Sequence, residues 1–452
     1  MTETVQKVPA RAWVVTGAGF AVNMCLGILY AWSVWKGVLV NSAKANAGEV
    51  MTGINAGWPY LTDFQGTVAY SLCGLIFAVF MIPGGRILDK YGPKVSAMVG
   101  GAFLGAGCIL AGLMKSYIGL LLGFGVLGGI GMGIAYAAPT PAALRWFGPA
   151  KYGLIAGITV GGFGGAAMYI SPLGNYLITN YGITGSFLAF GIAFTAVVFV
   201  AAQFLSLPPA GYVAPAAPAN KKLAAPAADW KPDEMLKTWQ YYALAFMFMG
   251  TAQSGLLVIA NASPILKTTA TSVEFFAQNA WILAAFGGLV NAIGRVGTGL
   301  YSDVIGRRNA YTVNCLVSAV FLFSTPWIIS TGNVALLFLA VGVAFWQYGG
   351  GLALMPANTA DFYGKKNLGS NYGLIFLGWG FGFFIPLVAG IVKDTTGSYD
   401  LAFYGSGALL IAAVALNFIT RRPDYAGISQ KSVHASSTAH SGGPIFTTRR
   451  TR

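Results

Sequence analysis

Arg295 stands within GGLVNAIGRVGTGLYSD (residues 287–303), directly after the apolar run WILAAF. A guanidinium keeps its proton at any ordinary pH, so burial cannot neutralise it. In hydrocarbon such a charge costs roughly 2.5–3.5 kcal/mol on insertion scales. It therefore either lines a substrate path or serves as a structural or snorkelling residue. Its planar fork suits a carboxylate, which it holds through two parallel hydrogen bonds. Asn291, four residues earlier on the same helix face, adds a donor and an acceptor. No acidic residue falls in the interior of an apolar stretch. Asp63 and Glu274 sit at helix starts, and Asp303 lies about 12 Å along the axis from Arg295, too far to be an obvious partner. The missing anion is then most simply a ligand.

Other chemistries find little support. Cys25, Cys73, Cys108 and Cys315 lie in apolar segments without a CxxC pair, and the only histidines, His434 and His440, fall in a polar tail. No metal site, cofactor site or nucleophile–base pair emerges, so the chain does not read as an enzyme. The glycine runs GVLGGIGMG and GITVGGFGG follow no strand and precede no Gly-Lys-Ser/Thr, which argues against a nucleotide loop and for close helix contact.

The elements that must hold Arg295 follow from composition. The chain is 56% hydrophobic and 9% charged, with a mean hydropathy of +0.66; soluble domains carry about 25% charged residues. Its net charge of +14 lies mostly between apolar runs, which reads as topology signalling rather than nucleic-acid binding. Stretches long enough to span a bilayer occur near 12–40, 63–85, 95–114, 117–140, 153–177 and 183–206. A second set lies near 239–266, 274–301, 310–330, 333–357, 369–392 and 399–420. The expectation is an all-α membrane protein of twelve transmembrane helices in two pseudo-symmetric halves. Residues 1–206 form the first half and 239–420 the second, with a Pro/Ala-rich linker at 207–238 and a disordered tail at 421–452. The first apolar run is too long for a signal-peptide core and is expected to be retained.

Lys and Arg gather on one side, including Arg11, Arg86, Lys94, Arg145, Arg307 and Arg308. Only Lys36, Lys44, Lys115, Lys267 and Lys393 fall on the other. Both termini and the linker are therefore expected on the cytoplasmic face of a multi-pass cell-membrane protein. An internal repeat supports the two halves: GGRILDKYGPK (84–94) and GTGLYSDVIGRR (297–308) align Asp89 with Asp303, Gly92 with Gly306 and Lys94 with Arg308. An aspartate able to pair with bases, beside a turn glycine, suits a gate. The repeat places Met81 opposite Arg295, so the charge is asymmetric and looks like a site.

The duplicated loop in a six-plus-six chain resembles the major facilitator superfamily. GIGMGIAYAAPTPAALRWFGPAKYGLIAGITVGGFG and LMPANTADFYGKKNLGSNYG are similar to its oxalate/formate antiporter and monocarboxylate transporter branch. That resemblance implies the major facilitator fold and assigns Arg295, on the eighth helix, as the carboxylate-binding residue. Tyr30, Tyr136, Tyr348 and Phe376 fall at positions resembling the cavity lining of the family, although packing is the alternative for any one of them. Proton-coupled animal members carry an aspartate where Asn291 stands. The oxalate exchanger carries an eleventh-helix lysine where Trp379 aligns, and the first-helix lysine of animal members aligns near Val34. One fixed cation is then expected, matching one carboxylate. The expectation is secondary transport of a lactate- or pyruvate-type anion by a monomer, coupled to protons by resemblance. Exchange of the oxalate/formate type is the second reading, and a non-transporting receptor on the same fold is the third.

Overall fold

The computed structural model describes residues 8–147, 151–214, 229–364 and 367–424; the linker core and the tail beyond residue 424 lie outside the described residues. Among the described residues, ten helices are long and apolar enough to cross a membrane. Two of these are double. Asp63–Met114 has 52 residues, roughly 78 Å of helix at 1.5 Å per residue and more than twice a bilayer core of about 30 Å. It breaks at Gly92, where φ is +83°. The 49-residue Leu154–Ala202 breaks at Gly182, with φ +73°. Both breaks need a left-handed backbone that glycine adopts without penalty.

Dividing these two gives twelve spans: α1 (Ala10–Leu39), α2 (63–91), α3 (93–114), α4 (Tyr117–Leu144), α5 (154–181) and α6 (183–202). The second set is α7 (Trp239–Thr269), α8 (Trp281–Ile305), α9 (Arg307–Thr331), α10 (Val334–Tyr363), α11 (Leu368–Thr396) and α12 (Asp400–Ile419). Gly306, at φ +86°, turns α8 into α9 as Gly92 turns α2 into α3. The two sets meet through α1 against α7, α2 against α11, and α5 against α8. Exchanging the halves, α2 for α8 and α11 for α5, maps the second contact onto the third, so the packing carries the pseudo-twofold of the sequence repeat. Large apolar side chains such as Leu300, Val304 and Ile419 face outward, as a lipid-facing surface requires.

Helix starts are capped locally. Thr62 Oγ1 accepts from the Gln65 amide at 3.2 Å while Gln65 Oε1 accepts from the Thr62 amide at 3.1 Å, a reciprocal box opening α2. Near its middle α1 tightens into a 3-10 turn over Gly27–Ala31. A Cβ on Gly27 would lie 2.2 Å from Ala166 Cβ, so α1 and α5 touch almost backbone to backbone here. That contact carries Tyr30 into the centre of the bundle. We call the end where α1 begins the terminal face and the opposite end the distal face. The linker ends in a short helix, Pro232–Met235, and the Trp230 carbonyl accepts from Asn367 and Asn371 at the start of α11.

Candidate functional site

Arg295 lies at the middle of α8 and is 4% exposed. Its Nε donates to Asn291 Oδ1 at 3.2 Å, and its Nη1 donates to the Val160 carbonyl on α5 at 3.3 Å. At this centre two buried donors, Arg295 Nη2 and Asn291 Nδ2, have no hydrogen-bond partner among the described residues. No carboxylate pairs with the guanidinium among the described residues. Buried donors of this kind carry a desolvation penalty unless something accepts from them.

Aromatic residues surround these donors. The phenols of Tyr30, Tyr136 and Tyr348 lie close enough to interact electrostatically with Arg295, and those of Tyr30 and Tyr136 stand at the limit of hydrogen-bonding reach without forming a bond of good geometry. Trp379 Nε1 donates to Tyr348 Oη at 2.8 Å, and the Tyr30 and Tyr348 hydroxyls are 2.6 Å apart. Phe376 stacks on Trp379 with ring centroids 4.8 Å apart. Tyr30, Tyr348, Phe376 and Trp379 are buried and Tyr136 is half-buried. The sequence did not single out Phe77 or Phe163, yet both join the wall. Phe77 is 5.3 Å from Tyr136 and 5.1 Å from Trp379, and Phe163 is 5.2 Å from Tyr136. As two phenylalanines among 30, they carry no local signal that separates them from core. Gly164, one turn from Val160, leaves room for the fork: a Cβ there would lie 2.8 Å from Arg295 Nε.

The repeated loop does not converge on this centre. Asp89 pairs with Arg145 at 3.5 Å on the terminal face, with both side chains well exposed, and Lys94 is exposed. Arg308 donates to the Phe418 carbonyl and lies over its ring. The side chain of Asp303 lies outside the described residues.

One expectation needs correction. Lys36, taken from the sequence as a flanking cation, is 0% exposed and forms an ion pair with Asp63 at 3.2 Å. The expected span of 12–40 already contains Lys36; the structure adds that its side chain turns into the bundle instead of reaching the water beyond Leu39. Among the described residues the bundle thus holds two buried cations, not one. Lys36 has its counter-ion in place, and Arg295 alone of the two lacks one. Asp63 opens α2 and is buried, whereas Glu274 is exposed on the short helix Glu274–Gln278 and accepts from Gln278 Nε2.

Comparison with known proteins agrees with this architecture. The family model described as Major Facilitator Superfamily matches residues 12–360 and 277–447. Among curated proteins, the oxalate:formate antiporter of Oxalobacter formigenes is 29% identical over 355 residues, covering 78% of each chain. Monocarboxylate transporter 12 of Homo sapiens is 25% identical over 363 residues, covering 74% of this chain and 69% of that one. Among solved structures, an inward-facing, unoccupied bacterial homolog of the human lysosomal transporter Spinster aligns with a TM-score of 0.65 at 14% identity. That alignment covers 92% of this chain and 97% of the other. With the family model spanning most of its length, this chain belongs to the major facilitator superfamily.

Proposed function

We propose that the chain is a secondary active transporter of small monocarboxylates of the lactate or pyruvate type. The observation that carries this reading is the pair of partnerless buried donors, Arg295 Nη2 and Asn291 Nδ2, beside a guanidinium with no counter-ion among the described residues. A single carboxylate would accept from both and neutralise the site. The phenols of Tyr30 and Tyr136 would meet its oxygens or a 2-hydroxyl, and Phe77, Phe163 and Phe376 would pack a short carbon chain. Lys36 does not add a second binding charge, because Asp63 already neutralises it.

The coupling ion in this reading is the proton. A bound monocarboxylate leaves the centre neutral, and a co-transported proton makes the whole cycle electroneutral. Arg295 sits where α5 and α8 meet, so it senses both halves as they rock about the midplane. The distribution of Lys and Arg supports a cytoplasmic terminal face and an external distal face in the plasma membrane. Exchange of the oxalate/formate type is the second reading, favoured by the 29% identity to the oxalate:formate antiporter. Against it, Trp379 fills the position from which a second cation would act and is already engaged with Tyr348.

A substrate screen in proteoliposomes, with and without an imposed pH gradient, tests the proposal. Saturable lactate or pyruvate uptake that rises with an inward proton gradient is the expected result. Counter-flow that requires internal oxalate or formate and ignores the gradient would replace it with the second reading.

A further inference from the structure

Polar contacts between the two halves crowd the distal face. The Lys36–Asp63 ion pair itself joins α1 to α2 within the first half. Lys36 Nζ also donates to Thr67 Oγ1 on α2 at 3.0 Å, within the same half, and its other contacts cross over. Lys36 Nζ donates to Asn261 Oδ1 on α7 at 2.5 Å and lies 3.4 Å from Tyr399 Oη. The Tyr399 hydroxyl, in the turn before α12, donates to Asp63 Oδ1 at 2.5 Å. Asp394 on α11 reaches the first turn of α2. Its Oδ1 accepts from the Asp63 amide at 3.0 Å and its Oδ2 from the Phe64 amide at 2.8 Å. A carboxylate of one half thus caps a helix of the other, satisfying amides that have no partner inside their own helix. Asp394 Oδ1 also accepts from Ser42 Oγ at 2.7 Å. Backbones close in as well, since a Cβ on Gly390 would lie 2.8 Å from Phe64 Cα.

The charges in this cluster balance. Lys36 and Lys393 face Asp63 and Asp394, and Lys393 lies over the Tyr399 ring at 5.2 Å. The terminal face lacks such a clasp: among the described residues its ion pairs, Asp89–Arg145 and Arg307–Asp361, each stay within one half. A rocking transporter needs one face held shut while the other opens.

We propose that Lys36, Asp63, Asn261, Asp394 and Tyr399 form a latch that holds the distal face shut, and that it closes only when Lys36 and Asp63 are both charged or both neutral. Removing one charge of a buried pair leaves the other desolvated and uncompensated, which is far costlier than losing the pair. Opening the distal face hydrates the orphaned charge, so a single neutralisation favours the open state. Neutralising both removes that incentive. Losing Asn261 leaves the ion pair intact and takes away its strongest link to the second half.

Ser33 reports on this gate. It is 0% exposed, lies on α1 between Tyr30 and Lys36, and meets Ser263 of the other half at 3.3 Å. The test uses the full chain in nanodiscs, without Cys25, Cys73, Cys108 and Cys315, carrying Ser33→Cys and exposed to a charged thiosulfonate reagent. No substrate is present, so the result is independent of which anion the centre binds. Asp63→Asn should label at least tenfold faster than the parent, Asn261→Ala should also label faster, and Lys36→Met with Asp63→Asn should return to within about threefold of the parent. Parental labelling of Asp63→Asn, or a double variant as fast as Asp63→Asn, would overturn the latch. If Asp63→Asn is not monodisperse, Asn261→Ala decides alone, and parental labelling there overturns the proposal.

Discussion

Gly164→Ala separates the site from the scaffold. A methyl at this position meets Arg295 Nε at 2.8 Å, Cζ at 3.2 Å and Nη2 at 3.3 Å, whereas comfortable heavy-atom contacts lie near about 3.5–4.0 Å. The guanidinium must therefore move by several tenths of an ångström, up to about 1 Å, away from α5. Gly164 is helical, so alanine itself should favour the helix by about 0.8–1 kcal/mol. A displaced fork loses at least one of its two charge-assisted bonds to a carboxylate, about 1.5–3 kcal/mol. That corresponds to roughly 10- to 150-fold in affinity. Gly161→Ala is the control on the same helix, because nothing lies within 4 Å of its added Cβ. Calorimetric titration of lactate into both purified variants, with melting temperatures alongside, reads the difference. We expect weakened binding at unchanged or higher melting temperature for Gly164→Ala and parental binding for Gly161→Ala. Equal affinities in the two variants would refute the placement of the anion on this guanidinium.

Three other outcomes follow from the same geometry. Trp379→Lys puts an ammonium beside Tyr348 and removes the indole donor, so oxalate should gain on lactate in a competition assay; an unchanged preference in monodisperse protein counts against the charge-matching idea. Cysteines at Asn46 and Asn220 should react with an impermeant thiol reagent from opposite sides of sealed cells, and reaction of both from one side would refute the assigned orientation. Uptake should respond to a proton gradient and not to membrane potential, because carboxylate plus proton carries no net charge. Strong potential dependence with no pH response contradicts symport.

The sequence made the spans legible because each is a long apolar run, and the breaks legible because Gly92 and Gly306 recur in register. Arg295 stood out because a permanent charge in the middle of such a run is costly wherever it goes. Asn291 followed from helical spacing. Lys36 did not stand out, since a lysine three residues before a helix end looks like any flanking cation. Its burial depends on Asn261 and Tyr399, which lie 225 and 363 positions away and bear no periodic relation to it. Phe77 and Phe163 were hidden for a related reason: in a chain that is 14% aromatic, only the packing reveals which rings face the centre. The Val160 carbonyl that accepts from Arg295 has no side-chain signature at all.

The most direct test is the lactate affinity of purified Arg295→Lys against the parent, measured by calorimetry with melting temperatures matched. Lysine keeps the charge but not the planar fork, so it can neither reproduce two parallel bonds nor hold Asn291 and Val160 as the guanidinium does. The account predicts at least tenfold weaker binding, about 1.4 kcal/mol, in a protein as stable as the parent. Near-parental affinity in Arg295→Lys would contradict it, because the carboxylate would then be held by something other than this fork.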